Sequence, residues 1–230
     1  MEIEGQLNAE ERRLLMEAVE RLKPETVLEV GTYLGGGSTI HLLKALHRCD
    51  CGRLWGVEAD QSIYEKMIQN IRQAAPDAYG HFEPLFGFSQ NVIPEWLKDH
   101  PQVQLVFLDG GNNPQEQITE FCLLEAHIPV GGELFSHDVK LRKGKWLRPY
   151  MEHLDNWETT FYDISDEGLF HGRKIAERPT PASRSAAKRC LLKLKLQPAE
   201  LAARVLPHKV RAGVLRILPS KISRRLSDGR

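Results

Sequence analysis

The sequence predicts a doubly wound α/β fold: a mostly parallel sheet of about seven strands, helices on both faces, and a basic helical tail. Three observations predict it. Short apolar, β-branched runs alternate with amphipathic helical stretches from residue 26 to about 155. The first of these runs ends in a turn with four glycines, Gly31, Gly35, Gly36 and Gly37. The charge is also split. Residues 173–230 hold 16 Lys/Arg against Glu177, Glu200 and Asp228, a net +13, so residues 1–172 carry −13 within a neutral chain.

Asn8 and Glu11 fit a capping box that opens a helix over 9–22, with Leu14, Leu15, Ala18 and Leu22 on one side and Pro24 as its stop. "TVLEVG" (26–31) reads as a buried strand and "STIHLLKALH" (38–47) as the helix after the glycines. "RLWGVEA" (53–59) is the second strand. The helix 61–75 follows, with Ile63, Met67, Ile68 and Ile71 facing inward. "HFEPLFG" (81–87) is a third strand weakened by Pro84, and a helix covers about 89–98. "VQLVFLD" (103–109) is a fourth, strongly apolar strand. The helix 114–127 has Pro114 in its first turn, and "VGGELFSHD" (130–138) is the fifth strand. Segments within 160–176 read as a closing antiparallel pair. "RPTPASRS", from 178, reads as a linker by composition. The predicted domains are therefore 1–178 and a partly amphipathic tail, 179–230.

A chain of 230 residues with 41% hydrophobic content can bury a core of this kind. Cys49, Cys51, Cys122 and Cys190 show no zinc spacing and read as reduced thiols of a cytoplasmic protein. The acidic N-terminus lacks the apolar stretch of a signal peptide, and no run is long enough to span a bilayer.

In an open α/β sheet, ligands sit beyond the carboxyl ends of the strands. The glycines admit tight backbone turns and close approach of a ligand, and the helix from Ser38 offers free N–H groups. Gly31 and Gly35 are spaced G-x-x-x-G, not G-x-G-x-x-G, and no G-K-[ST] follows. A P-loop is excluded, and a nicotinamide-dependent oxidoreductase is disfavoured.

"EVGTYLG" (29–35) matches, residue for residue, the first motif of the class I S-adenosylmethionine-dependent methyltransferases. The resemblance extends over about 25–176, through Glu58 at the end of "LWGVE", "GFSQNVIPEWL" (87–97), "VFLDGG" and "VGGELFSHDV". It points to the small-molecule O-methyltransferase and cephalosporin-hydroxylase-like branch. What it implies is methyl transfer to a hydroxyl of a sugar, natural product or lipid-linked acceptor. Glu29, Gly31 and Gly35 would flank the methionine end, Glu58 the ribose hydroxyls and Ser89 the adenine, with Thr32, Tyr33, Ser38 and Asp109 also on the cofactor. Asp109, His137 and Asp138 would face the acceptor. Asp109 and Asp138 with Asn113 would supply a Mg²⁺ site, although "DGGNNP" and His137–Asp138 depart from the family's usual metal residues. Lys140, Arg142, Lys143 and Lys145 read as a solvated basic face or an anionic-substrate clamp.

The tail's Val210, Val214, Leu218, Ile222 and Leu226 recur every four residues, interrupted by Pro207 and Pro219. With no aromatic residue in 178–230, nucleic acid is disfavoured. An anionic membrane surface, on the inner leaflet, and an acidic body, its own or a partner's, remain as contacts. A homodimer is admitted. The non-enzyme alternative is a degenerate methyltransferase fold acting as an adaptor.

Overall fold

The computed structural model describes residues 3–198 and Glu200. A seven-stranded sheet runs through the middle in the order β3-β2-β1-β4-β5-β7-β6. Its strands are β1 (Thr26–Val30), β2 (Arg53–Glu58), β3 (Phe82–Phe86), β4 (Leu105–Leu108), β5 (Glu133–Ser136), β6 (Trp157–Tyr162) and β7 (Leu169–Lys174). The first five are parallel, and β7 runs antiparallel to both β5 and β6.

The helices are α1 (Ala9–Leu22), α2 (Thr39–Cys49), α3 (Gln61–Ala74), α4 (Ser89–Asp99), α5 (Pro114–Leu124), α6 (Leu147–Met151) and α7 (Pro181–Lys195). Strand side chains alternate between two cores. Val27, Leu54, Leu105 and Phe135 pack under α1, α2 and α3. Leu28, Val57, Val106 and Leu134 pack under α4, α5, α6 and α7. Every residue of β4 is buried, which is why its sequence is apolar without alternation.

Local chemistry sets the boundaries. The Asn8 side chain accepts from the N–H groups of Glu10 and Glu11, and Glu11 returns a bond to the Asn8 N–H, completing the expected capping box. Asp60 caps α3 through Ser62 and Ile63. On α3 only Met67 and Ile71 are fully buried, while Ile63 and Ile68 stay at the margin.

Two readings of the sequence change. The linker expected from residue 178 is a helix start: Thr180 caps α7 and Pro181 occupies its first turn. Turn-forming residues and N-terminal helix residues overlap in composition, so "TPASRS" reads either way. Through Ala187, Leu191 and Leu194, α7 packs into the same core as α6. The boundary expected at 178 therefore falls just before a helix that belongs to the packed body. The basic cluster at 140–145 is not a solvated face either. Arg142 and Lys145 pair with the buried carboxylate of Glu200, and Lys140 with Asp163. The tail positions Val210, Val214, Leu218, Ile222 and Leu226 lie outside the described residues.

Candidate active site

The strand order reverses between β1 and β4, and the loops after these strands meet there. Gly31, at φ +89°, stands so close to Gly110 that an added Cβ would lie 2.5 Å from the Gly110 nitrogen. Neither loop tolerates a side chain at this contact. The other glycines serve different neighbours. Gly35 faces Ile71, and Gly36 is pressed by the carbonyls of Ile3 and Glu4. Gly37 lies against Gly5 in the segment before α1. Much of the glycine richness thus serves chain-on-chain packing rather than a ligand.

A cavity of about 440 Å³ opens over these loops, within the usual range of small-molecule sites. Gly31, Thr32, Tyr33, Ser38, Glu58, Ser89 and Asp109, all expected from the sequence, line it. Glu58 stands at the end of β2. Its Oε1 accepts from the N–H groups of Ala59 and Asp60, and its Oε2 from the Tyr33 N–H at 3.0 Å. Tyr33 adopts φ +48° to make that bond. Three backbone donors fix the carboxylate and leave a lone pair on Oε2. The loop after β4 places Asp109 on the same cavity.

Residues 28–139 match the sequence family described as a methyltransferase domain. Over that stretch, just under half of its length, the chain is similar to methyltransferase domains. The "Transmembrane O-methyltransferase" of Homo sapiens is 35% identical over 132 residues, 55% of this chain and 43% of that protein. Its Mus musculus homolog is 34% identical over 131 residues, 55% of this chain and 48% of that protein. The chain thus spans less than half the length of these curated relatives. Among solved structures, the O-methyltransferase TomG from Streptomyces achromogenes, in complex with SAM, superposes with a TM-score of 0.60. It is 20% identical, covering 74% of this chain and 82% of that one. An O-methyltransferase from Bacillus cereus, in complex with SAH, gives 0.58 at 19% identity with the same coverages. At these identities the likeness is one of fold.

Glu29 and Gly35 are not among the cavity's lining residues. Glu29 lies fully buried beneath the turn, hydrogen-bonded by the Ser38 hydroxyl. Burial outweighs that bond and pushes its carboxyl up to about 8. It is a neutral acid at pH 7.

His137 and Asp138 also lie behind the cavity wall. The His137 ring is fully buried, with Nδ1 3.4 Å from Asp109 and 3.3 Å from Asp138, and Nε2 3.4 Å from Glu11. Burial opposes its charge, but Asp109, Glu11 and Asp138 raise it to about 10. The base expected at His137 is therefore already protonated at neutral pH and shut away from any acceptor. Burial would push Asp109 up, yet contacts with His137 and Lys143 hold it below its ordinary value. Asp138, at φ +61°, is raised, chiefly by burial.

Asp109, His137 and Asp138 present ligand atoms within 4.8 Å of one another. The set does not fit a divalent ion. The Lys143 ammonium donates to Asp109 Oδ1 at 3.0 Å, to the Asp109 carbonyl at 2.8 Å, and to Asp138 Oδ2. The His137 ring turns Nδ1 to Asp109 and Asp138 and Nε2 to Glu11. The Asn113 side-chain oxygen, expected as a third ligand, accepts from the N–H groups of Gln115 and Glu116 as the cap of α5.

The sequence missed several cavity residues. Gly5, Gln6 and Leu7 form part of the wall. Glu120 also lines the cavity, accepts from the Ser89 hydroxyl at 2.6 Å and leaves Oε2 without a partner. Burial raises Glu120 to about 7. Glu116 and Glu120, four apart on α5 just after "DGG", were a legible signal of a helix face turned to the site. Nothing in the sequence pointed to residues 5–7.

Proposed function

We propose that this chain binds S-adenosylmethionine and transfers its methyl group to an oxygen of a small-molecule acceptor. The observation that carries this reading is Glu58: a carboxylate held by three backbone N–H groups, on the same cavity as Gly31 and Asp109. The donor set suits the cofactor. A carboxylate with a free lone pair accepts from ribose hydroxyls. Ser89 and the bare Oε2 of Glu120 offer polar atoms to the adenine end, and the Gly31 turn and Thr32 leave room for the methionine end.

When bound, S-adenosylmethionine supplies a methyl group already activated on a sulfonium. The chain's own residues align and desolvate. Gly31, Glu58 and Ser89 would hold the cofactor and fix its orientation toward the acceptor. Asp109, ionised and at the cavity wall, accepts a hydrogen bond from the acceptor hydroxyl and takes its proton as the carbon–oxygen bond forms. His137 and Asp138 act through Asp109 by holding its position and charge.

Calorimetric titration with S-adenosylhomocysteine tests this, with NADH alongside. Micromolar binding of the first, lost at least tenfold in Glu58→Ala, is the expected result. Binding of NADH alone would replace the reading with an oxidoreductase.

We also propose that the basic end of the chain contacts an anionic membrane surface. The supporting observation is α7, which holds no acidic residue and leaves Leu192 and Leu196 exposed among Lys188, Arg189, Lys193 and Lys195. Each basic residue near such a surface contributes about 1 kcal/mol. Among the described residues, no helix is long and apolar enough to cross a membrane.

A further inference from the structure

Lys143 is a cation with three acceptors beside the cavity, and the function above does not use it directly. It comes from the turn after β5, which curls back tightly. The Leu141 N–H bonds the Asp138 carbonyl at 2.9 Å, and a Cβ on Gly144 would lie 2.5 Å from that same carbonyl oxygen. This close return brings the ammonium to the two carboxylates at the ends of β4 and β5. Its three acceptors are the Asp109 carbonyl, Asp109 Oδ1 and Asp138 Oδ2. Three acceptors match the three hydrogens of an ammonium, so its donor capacity is filled. Lys143 also lines the cavity beside Asp109.

We propose that Lys143 is the site's resident cation, standing between Asp109 and Asp138 where a divalent ion would otherwise bind, so that the domain works without one. This inference rests on the methyltransferase reading for its purpose but not for its geometry. A divalent ion needs oxygen ligands with free lone pairs facing a common centre. Here that centre holds an ammonium, and a second cation within contact distance meets direct repulsion. An ammonium also has no coordination positions to open, so this site has no means of chelating an acceptor. Lys143 is a positioning residue: it fixes Asp109, which meets the acceptor.

The test is Mn²⁺ binding followed by electron paramagnetic resonance, on the full chain. Wild type should leave the free Mn²⁺ signal unchanged. Lys143→Ala, with both carboxylates released, should bind Mn²⁺ at least tenfold more tightly, and Asp138→Asn in that background should remove the gain. Lys143→Arg, which keeps the charge, should behave as wild type. A purely structural lysine would not convert the site into a metal site. Carboxylate-dependent Mn²⁺ binding by wild type overturns the proposal, and so does absence of binding by both wild type and a folded Lys143→Ala. Near-ultraviolet circular dichroism establishes folding. If Lys143→Ala does not fold, the wild-type and Lys143→Arg titrations decide, because Mn²⁺ bound by either overturns the proposal. Titration of the same samples with S-adenosylhomocysteine separates the two ideas, since its failure would remove the cofactor reading and leave the Mn²⁺ result standing.

Discussion

Glu29 is a carboxyl that the fold keeps protonated. The unfolded chain ionises it near 4.5, the folded protein near 8. The folded state therefore holds the extra proton across that window, and stability falls as pH rises through it. Glu29→Gln keeps the shape and the bond with Ser38 and removes the titration. We expect denaturant melts to show the variant more stable than wild type by about 1–3 kcal/mol at pH 8, with the gap closing toward pH 4.5. A wild-type curve flat across the window would contradict the buried neutral acid. His137 has the same sign for a different reason. Its folded value is raised, so its ion-pair contribution is complete below about 6.5 and is lost as pH rises through about 10. His137→Ala leaves Glu11, Asp109 and Asp138 facing one fewer cation and should cost about 3–5 kcal/mol. Thermal melts would show this as a fall of many degrees.

At the scale of elements, β7 and α5 are joined by one side chain. Lys174 is fully buried, and its ammonium donates to the carbonyls of Glu125 at 2.9 Å and Ile128 at 2.6 Å, just beyond the end of α5. Lys174→Met matches its length but leaves both carbonyls unpaired. We expect a loss of about 2–4 kcal/mol in urea unfolding, with S-adenosylhomocysteine affinity unchanged. The central strands β1 and β4 were legible because they are buried on both faces, so their apolar runs have no rival reading. Three cavity-lining residues were legible for a related reason: Gly31, Glu58 and Asp109 sit where strands end, and strand ends follow from the pattern. The surroundings of His137 and Lys143 were not legible. Both are charged residues after β5, and only the tight turn between Asp138 and Gly144 decides that one is entombed and the other folded back onto Asp109. The start of α7 was misread because its capping residues share the composition of a linker.

For the whole molecule, the packed body does not stop where the basic composition begins. Ala187 is fully buried and Glu200 is held by Arg142 and Lys145. A chain ending at 178 loses α7 and uncovers α6. It should aggregate or melt at least 10 °C lower, whereas a chain ending at 200 should keep its melting temperature within a few degrees. The second truncation is therefore the proper comparison for membrane binding. Co-sedimentation with vesicles containing phosphatidylserine should retain the full chain more strongly than the 1–200 form, which keeps α7. Equal behaviour of the two would assign any binding to α7 or to nothing.

On the ribosome, β1 has to wait for β4. The two lie side by side in the sheet, yet α2, β2, α3, β3 and α4 are all synthesised between them. A nascent chain that has emerged through α4 has, besides the β3 edge, an edge at β1 that the finished sheet covers. Such an edge is a template for pairing with another chain. Residues 26–30 are thus the segment that a chaperone would most need to shield during translation, until the fourth strand arrives and closes the gap.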